Sequence, residues 1–362
     1  MSSPPKMQAV RTVDVHQSNV ELVDTPKPGQ GEILICTKAV TLNPTDWKHV
    51  AFISPSGVTV GCDFAGIVEG LGPGVSNGLK KGDRVSGFVH GGKYPNKGSF
   101  AEFLTAKAAG VMKIPDALSD AEAASMGIAG ETAVQALFQR LNVKAPSSSI
   151  TSIPQITKDS PKLLVWAGST SVGQYAIQLG TIAGYYVITT ASPKNHKLVK
   201  SLGAQEAHDY KDESVPEAIS KAHPDLNIAL DCISENGTQS FCARSLGTSG
   251  GKIAVLLAPD KNARELRNDV QIIHTLIYSS LGDEFSYGKR VYDRAEVATD
   301  FEWMKLWLDG DKGLLHHLFA KGLLKSNKIK HMDGGIQSIH EGMKYMRESK
   351  VSAEKLAYTI SA

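Results

Sequence analysis

The sequence is short of most features that settle a protein's class at once. Of 362 residues only four are cysteine, at 36, 62, 232 and 242. Their spacing is too irregular for a disulfide framework or a Cys-x-x-Cys metal knuckle, which points to a reducing compartment, the cytoplasm. No apolar run approaches the ~20 residues of a membrane-spanning helix. The start, MSSPPKMQAV, lacks the apolar stretch of a secretory signal. Neither sign of charge is in excess: 39 basic against 37 acidic side chains leave a formal +2. Such a balance gives no global field for nucleic acid or an anionic membrane, and no basic stripe interleaved with aromatics is present, so neither partner is expected. Collagen, coiled coil, membrane protein and disulfide scaffold are excluded on these grounds. What remains is a soluble globular chain, 41% hydrophobic with 34 Gly and 16 Pro, too long for one hydrophobic core and expected to form two domains.

The first third reads as β structure. QAVRTVDV, EILICTKAV, AGIVEG and DRVSGFVH are short, β-branched runs separated by Gly/Pro clusters such as PKPGQGE and GLGPGVSNG. That spacing suggests a barrel or sandwich. Near residue 119 the pattern turns helical: Ser119 is a candidate N-cap with Glu122 three residues on. Gly127 and Gly130 interrupt this stretch, so two helices with a turn are expected. The Ser/Pro-rich run 144–161 is an exposed loop. From Lys162 apolar strands (LLVWAG, YYVITTAS, NIALDCIS, KIAVLLAP) alternate with helices (SVGQYAIQLGTIAG, HKLVKSLGA). Such alternation implies a parallel, doubly wound sheet. EWMKLWLDG and IHEGMKYMRES look amphipathic, with Trp303 and Trp307 at core spacing. SAEKLAYTISA is expected to be a strand returning to the N-terminal sheet.

The most informative segment is LLVWAGSTSVGQYAIQLG. A parallel strand followed by a helix presents free N–H groups and the positive end of the helix dipole at the turn, where a dinucleotide pyrophosphate can sit. The turn lacks the third glycine of G-x-G-x-x-G. Gly168 and Gly173 frame Ser169, Thr170, Ser171 and Val172, whose three hydroxyls could also donate to phosphate. A P-loop reading fails because Gln174 stands where its lysine is required. An ordinary helix N-cap remains the alternative, and the next strand decides. An NAD site wants a carboxylate at that strand's end for the ribose hydroxyls. VITTASPKNHK instead offers Ser192, Lys194 and Asn195, with Lys197 nearby and Tyr210 further on. These suit a 2′-phosphate, which favours NADPH.

Together NPTDWK (43–48), GCDFAGIV (61–68), KGDRV (81–85), GSFAEF (98–103), AGSTSVGQYAIQLG and LDCIS (230–234) resemble a medium-chain dehydrogenase/reductase over almost the whole chain. The resemblance implies an α/β fold with a GroES-like β-rich catalytic domain (1–142 and 310–362, discontinuous) plus a doubly wound Rossmann domain (143–309). Zinc alcohol dehydrogenases of this family carry a catalytic Cys in the segment matching NPTDWKH and a His-Glu in the one matching GCDF. Here stand Thr45 and Asp46, and Cys62 and Asp63, and the four-cysteine zinc lobe is missing. With His49 and His90, Cys62 and Asp63 do not make a four-ligand set of suitable softness and spacing, so no metal is expected. Among zinc-free members the sequence is most similar to the trans-acting enoyl reductases that serve fungal polyketide synthases, through NPTDWK, GIAGETAVQAL, GSTSVG, SPKN, DCIS and the 144–161 insertion.

That resemblance implies NADPH-dependent reduction of an α,β-unsaturated thioester presented on the carrier of a polyketide synthase, alone or as a hybrid with a peptide synthetase. The alternatives are a stand-alone quinone/enone oxidoreductase and a non-catalytic NADPH-binding partner. By resemblance Lys48 and Thr132 are the catalytic residues. Thr45, Asp46, Trp47, Lys48, Ser169, Thr170, Ser171, Val172, Ser192, Pro193, Lys194, Asn195, Tyr210, Val255, Leu256, Val351 and Ser352 line the cofactor cleft. Thr132, Ala133, Val134, Gln135, Ala136, Leu137, Phe138 and Gln139, with Ser279, Ser280, Leu281, Gly282 and Asp283, line the substrate channel. No Tyr or His stands out as proton donor. The related enzymes imply a monomer. Lys80, Lys81, Arg84, Lys93 and Lys97 form a conceivable basic patch for an acidic carrier domain, with a solvated loop face as the plainer reading.

Overall fold

The computed structural model describes residues 5–14 and 17–361, so Val15, the last residue of the first expected strand, and Ala362, at the end of the last, lie outside the described residues. The chain divides into two compact units. The first comprises Met1–Ile128, Tyr278–Gly322 and Ser326–Ala362, and the second Ala129–Ile277 and Leu323–Lys325.

In the first unit a seven-stranded sheet runs Ile329–Met332, Lys355–Thr359, Glu32–Thr41, Asp63–Leu71, Arg84–Phe88, Met112–Lys113, and Phe103–Lys107 joins it on Glu32–Thr41. Its strands form where β-branched and small apolar residues run between Gly/Pro turns, and their inward side chains (Ile33, Ile35, Phe64, Val68, Val85, Leu104) make one dry cluster. The expected return of the C-terminal strand is present: Ala357, Tyr358 and Thr359 pair antiparallel with Thr41, Val40 and Ala39. Several strands of this unit were not foreseen, Met112–Lys113 and Ile329–Met332 among them. Gln17–Asp24, itself largely exposed, pairs antiparallel with Lys6–Asp14, which buries Met7, Ala9 and Val10, and Phe103–Lys107 is too short to show alternation. The capping box is as read, with Ser119 Oγ accepting from the Glu122 N–H. Its helix ends at Ala124, and Gly130 lies inside the next helix, Gly127–Val134, rather than in a turn. In Arg294–Leu308 the Trp303 and Trp307 rings pack 6.1 Å apart and Trp307 is buried.

The second unit is a six-stranded parallel sheet. Its strands, in chain order, are Lys162–Trp166, Tyr186–Thr190, Glu206–His208, Ile228–Asp231, Gly251–Val255 and Val270–His274, and their spatial order is 3-2-1-4-5-6. That is the doubly wound arrangement, and its near-continuous apolar strands are buried as a sheet covered on both faces requires. Residues 144–161 carry no helix or strand. Gly203 ends His196–Ser201 at φ +113°, where a Cβ would sit 2.6 Å from Thr181 Oγ1.

The units divide at 128/129 and 277/278 rather than at the expected 142/143 and 309/310. Residues 129–142 belong with the parallel sheet, where Thr275 Oγ1 donates to Gln135 Oε1 at 2.5 Å. Residues 278–309 belong with the β-rich unit, where Lys107 Nζ donates to Leu281 O at 2.6 Å and to Asp283 at 2.9 Å.

Candidate active site

In the second unit the strand Lys162–Trp166 ends in a tight turn before the helix Ser171–Ile182. Ala167 takes a left-handed φ of +64°, a strained choice for a residue with a side chain. It is held there by its N–H, which donates to Thr190 Oγ1 at 2.9 Å. Thr170 is the N-cap: its hydroxyl accepts from the Gly173 N–H at 3.1 Å and donates to Ala167 O at 2.9 Å. One of the three hydroxyls is therefore spent inside the turn. The Ser169 hydroxyl makes no such bond, and Ser169 to Val172 are half-buried. A Cβ on Gly173 would lie 2.5 Å from Ala167 O and 2.7 Å from Gly168 Cα. This glycine therefore lets helix and strand end close together at the point where a phosphate would approach. Adjacent strands end at the same edge. After Thr190 the turn Pro193–Asn195 exposes Lys194, which has no ion-pair partner among the described residues. Beyond His208, the register partner of Thr190, stands Tyr210, 44% exposed. Val255 is buried at the end of its strand, and the Leu256 N–H donates to Ser234 Oγ at 2.8 Å. These residues fit a dinucleotide.

The first unit holds a different construction, a buried polar cluster drawn from six places in the chain. Asn43 begins the short helix Pro44–Lys48, and its N–H donates to Asp46 Oδ2 at 2.6 Å. Lys355 Nζ meets Asn43 Oδ1 at 2.5 Å and Asp63 Oδ2 at 2.9 Å, and both charges are essentially excluded from water. Asp63 also accepts from Thr41 Oγ1 at 2.9 Å and from the Ile128 N–H at 2.7 Å. Burial lifts the Asp46 carboxyl to about 7, with the neighbouring Asp63 charge acting the same way. Burial likewise pushes the Cys62 thiol far up, helped by the Asp46 charge. The Tyr278 hydroxyl lies 2.8 Å from Thr45 Oγ1 and 3.5 Å from Cys62 Sγ. His49 Nδ1 lies 2.9 Å from Thr45 O and 3.1 Å from Thr45 Oγ1. The His90 ring stacks on Tyr278 at 3.9 Å. Burial lowers both histidines, so they are neutral at pH 7.

Residues 29–116 match the alcohol dehydrogenase GroES-like domain and residues 171–285 the zinc-binding dehydrogenase domain. Trans-enoyl reductase TOXD of Cochliobolus carbonum is 39% identical over 74% of this chain and 87% of its own. Trans-enoyl reductase resD of Aspergillus sclerotiorum is 35% identical over 93% of this chain and 96% of its own. The chain belongs to the trans-enoyl reductases, a branch of the medium-chain dehydrogenase/reductases. Solved structures with the same fold include CurK enoyl reductase (TM-score 0.73, 19% identical, 98% of this chain and 99% of that one). The quinone oxidoreductase from Coxiella burnetii is another (TM-score 0.71, 23% identical, 98% and 100%). Membership in this family implies a nicotinamide cofactor.

A zinc ion, which the name of one family domain implies, does not fit the residues present. In this reductase the Asp63 carboxylate is already paired with Lys355, the Cys62 thiol is held protonated, and Thr45 offers only a neutral hydroxyl. Among the described residues no three His, Cys, Asp or Glu side chains face a common point.

The remaining expected site residues are distributed as follows. Asp46 turns its carboxyl into the first unit's interior, away from any role on the surface of the helix that carries it. Trp47 and Lys48 are half-buried, with Lys48 Nζ 5.8 Å from the Trp47 ring centre. Val351 packs in the first unit's core beside exposed Ser352. Thr132, Ala133, Val134, Gln135, Ala136, Leu137 and Phe138 are buried, while Gln139 is partly exposed. Ser279 is buried with its hydroxyl on Asp300, and Ser280 is buried beside it. Leu281 and Asp283 line a small cleft of about 40 Å³ with Phe88, His90, Lys107 and Phe301. Sequence reasoning missed Tyr278 and used His49 only as a possible ligand. Tyr278 stands one residue before the expected 279–283 stretch, and nothing local marks it.

Proposed function

We propose that this chain is an NADPH-dependent, trans-acting enoyl reductase that reduces the α,β-double bond of a polyketide thioester held on a separate polyketide synthase. The observation that carries the reading is the 35% identity to a trans-enoyl reductase over 93% of this chain and 96% of the relative. A bound reduced nicotinamide supplies the hydride for the β-carbon. The chain's own residues then have two tasks, to hold the growing charge on the thioester oxygen and to deliver a proton to the α-carbon. Lys48 is assigned the first task and Thr132 the positioning of the reacting end. NADPH is preferred to NADH because Lys194, without an ion-pair partner among the described residues, suits a 2′-phosphate with Ser192 and Tyr210 close to the same sheet edge, and no carboxylate follows Thr190 in VITTASPKNHK to repel it. The reaction runs without zinc, since the donors at that position are otherwise engaged. The enzyme acts as a cytoplasmic monomer.

The partner is a synthase, alone or fused to a peptide synthetase, that presents substrate on a carrier domain. The basic patch considered for docking is largely compensated: Lys81 pairs with Glu69, Arg84 with Asp120 and Lys97 with Glu32, while Lys93 donates to Glu284 O. These cations therefore contribute little to carrier recognition. The test is NADPH consumption with an enoyl thioester on a carrier protein, which should fall about 100-fold in Lys48→Ala, the scale of one lost oxyanion contact. Fast turnover of free quinones or enones with none of the thioester would replace this reading with a quinone reductase.

A further inference from the structure

The buried hydrogen-bond chain of the first unit has a direction. A backbone carbonyl carries no proton, so His49, 2.9 Å from Thr45 O, places its ring proton on Nδ1. Nδ1 therefore cannot accept from Thr45 Oγ1, 3.1 Å away. The Thr45 hydroxyl donates instead to the Tyr278 oxygen at 2.8 Å. The Tyr278 proton is left pointing at Cys62 Sγ, 3.5 Å away. Sulfur is a weak acceptor, so this proton is easily redirected to a stronger one. His90 and Phe88, which flank the Tyr278 ring at 3.9 and 6.1 Å between ring centres, also wall the cleft that reaches Leu281 and Asp283.

Resting on the enoyl-reductase reading, we propose that Tyr278 protonates the α-carbon, with Thr45 and His49 as positioning residues that restore its proton. Once the β-carbon has taken the hydride, the former π pair forms an enolate. The enolate α-carbon forms its C–H bond as the Tyr278 O–H bond breaks, and that electron pair stays on the phenolic oxygen. The Thr45 hydroxyl proton restores the phenol, and the His49 Nδ1 proton restores Thr45. A solvent proton taken at Nε2 leaves the imidazole neutral in its other tautomer, and proton exchange returns it to the Nδ1–H form before the next turnover. No further oxidant or reductant enters. Burial, which raises the phenol far above its ordinary range, keeps Tyr278 protonated between catalytic events.

The test compares wild type, Tyr278→Phe, Thr45→Val and Thr45→Ser with NADPH and an enoyl thioester, in water and in deuterium oxide. Loss of the proton donor should lower kcat in Tyr278→Phe about 100- to 10,000-fold with KM within about twofold. Its solvent isotope effect should rise as protonation becomes limiting. Thr45→Val should lose about tenfold and Thr45→Ser recover it, since only the hydroxyl is at issue. Thermal melts separate these effects from misfolding, and if Tyr278→Phe does not fold, the Thr45 pair decides. Independently of turnover, ¹⁵N spectra of the cofactor-free protein should show His49 in the Nδ1–H form. Unchanged kcat and isotope effect in Tyr278→Phe, equal rates for the two Thr45 variants, or an Nε2–H tautomer each overturn the proposal. A wild type inert toward the thioester is a different failure, which removes the enoyl-reductase reading and this proposal with it.

Discussion

The two units build their functional residues in opposite ways. In the second, the turn from Trp166 to Gly173 makes most of its shape from its own backbone: a strained Ala167, a capping Thr170 and a glycine that cannot carry a Cβ. Its other contributors are the loops after neighbouring strands, placed by sheet register. In the first, Thr41, Asn43, Asp46, Cys62, Asp63, Tyr278 and Lys355 meet through side chains, from segments more than 200 residues apart. The first kind of site can be altered at its rim without touching the core. The second is part of the core, so that the chemistry proposed for it would share its atoms with stability.

Three substitutions bear on that contrast. Replacing Lys355 with Met should have the largest effect, because it leaves Asp63 charged and unpaired in a site with no exposure. A loss of about 3–5 kcal/mol in urea unfolding is expected, and a loss below about 1 kcal/mol would show the cluster to be dispensable to the fold. Asp46→Asn addresses pH. Native Asp46 keeps its proton up to about pH 7, whereas the unfolded chain gives it up near 3.8. Stability should therefore fall as pH rises through that window, by up to about 4 kcal/mol from this group. Unfolding curves at pH 5 and 8 should show a smaller difference in Asp46→Asn than in wild type, and equal slopes would mean that the carboxyl is not the source. The mildest case is Lys194→Ala, at the rim of the other site. Its melting temperature should stay unchanged while NADPH binding weakens about tenfold, or about 1.4 kcal/mol, and NADH binding holds. Fluorescence titration with both cofactors reads this directly. An equal loss for both would show that Lys194 does not see the 2′-phosphate.

The same contrast explains what could be read in advance. The run LLVW and the Ser119/Glu122 cap are local patterns whose physics acts over four or five residues, and both form as expected, whereas in GSTSVG the Thr170 hydroxyl turns inward to cap the helix. The returning C-terminal strand was legible because a short apolar run such as LAYTI needs a sheet to join. Gln17–Asp24 was not, because an exposed hairpin edge has no buried face to impose a pattern. The π-helical segments His49–Ile53 and Gln135–Arg140 leave no mark on composition either. Tyr278 stayed hidden for another reason: its partners Thr45 and Cys62 lie 233 and 216 positions away in the chain. Only folding brings them together.

The Lys355–Thr359 strand carries a last consequence, which concerns the ribosome. It inserts between Glu32–Thr41 and Ile329–Met332, and it brings the ammonium that neutralises Asp63. Until it emerges, the first sheet has an open slot along one edge of Glu32–Thr41 and a carboxylate without its counter-charge. The second unit is almost wholly encoded by the continuous stretch 129–277 and can close during synthesis, as domains generally do. The β-rich unit, although it is made first, is completed last, so a nascent chain stalled before codon 355 should remain chaperone-bound and protease-sensitive in its N-terminal part while its centre is already resistant.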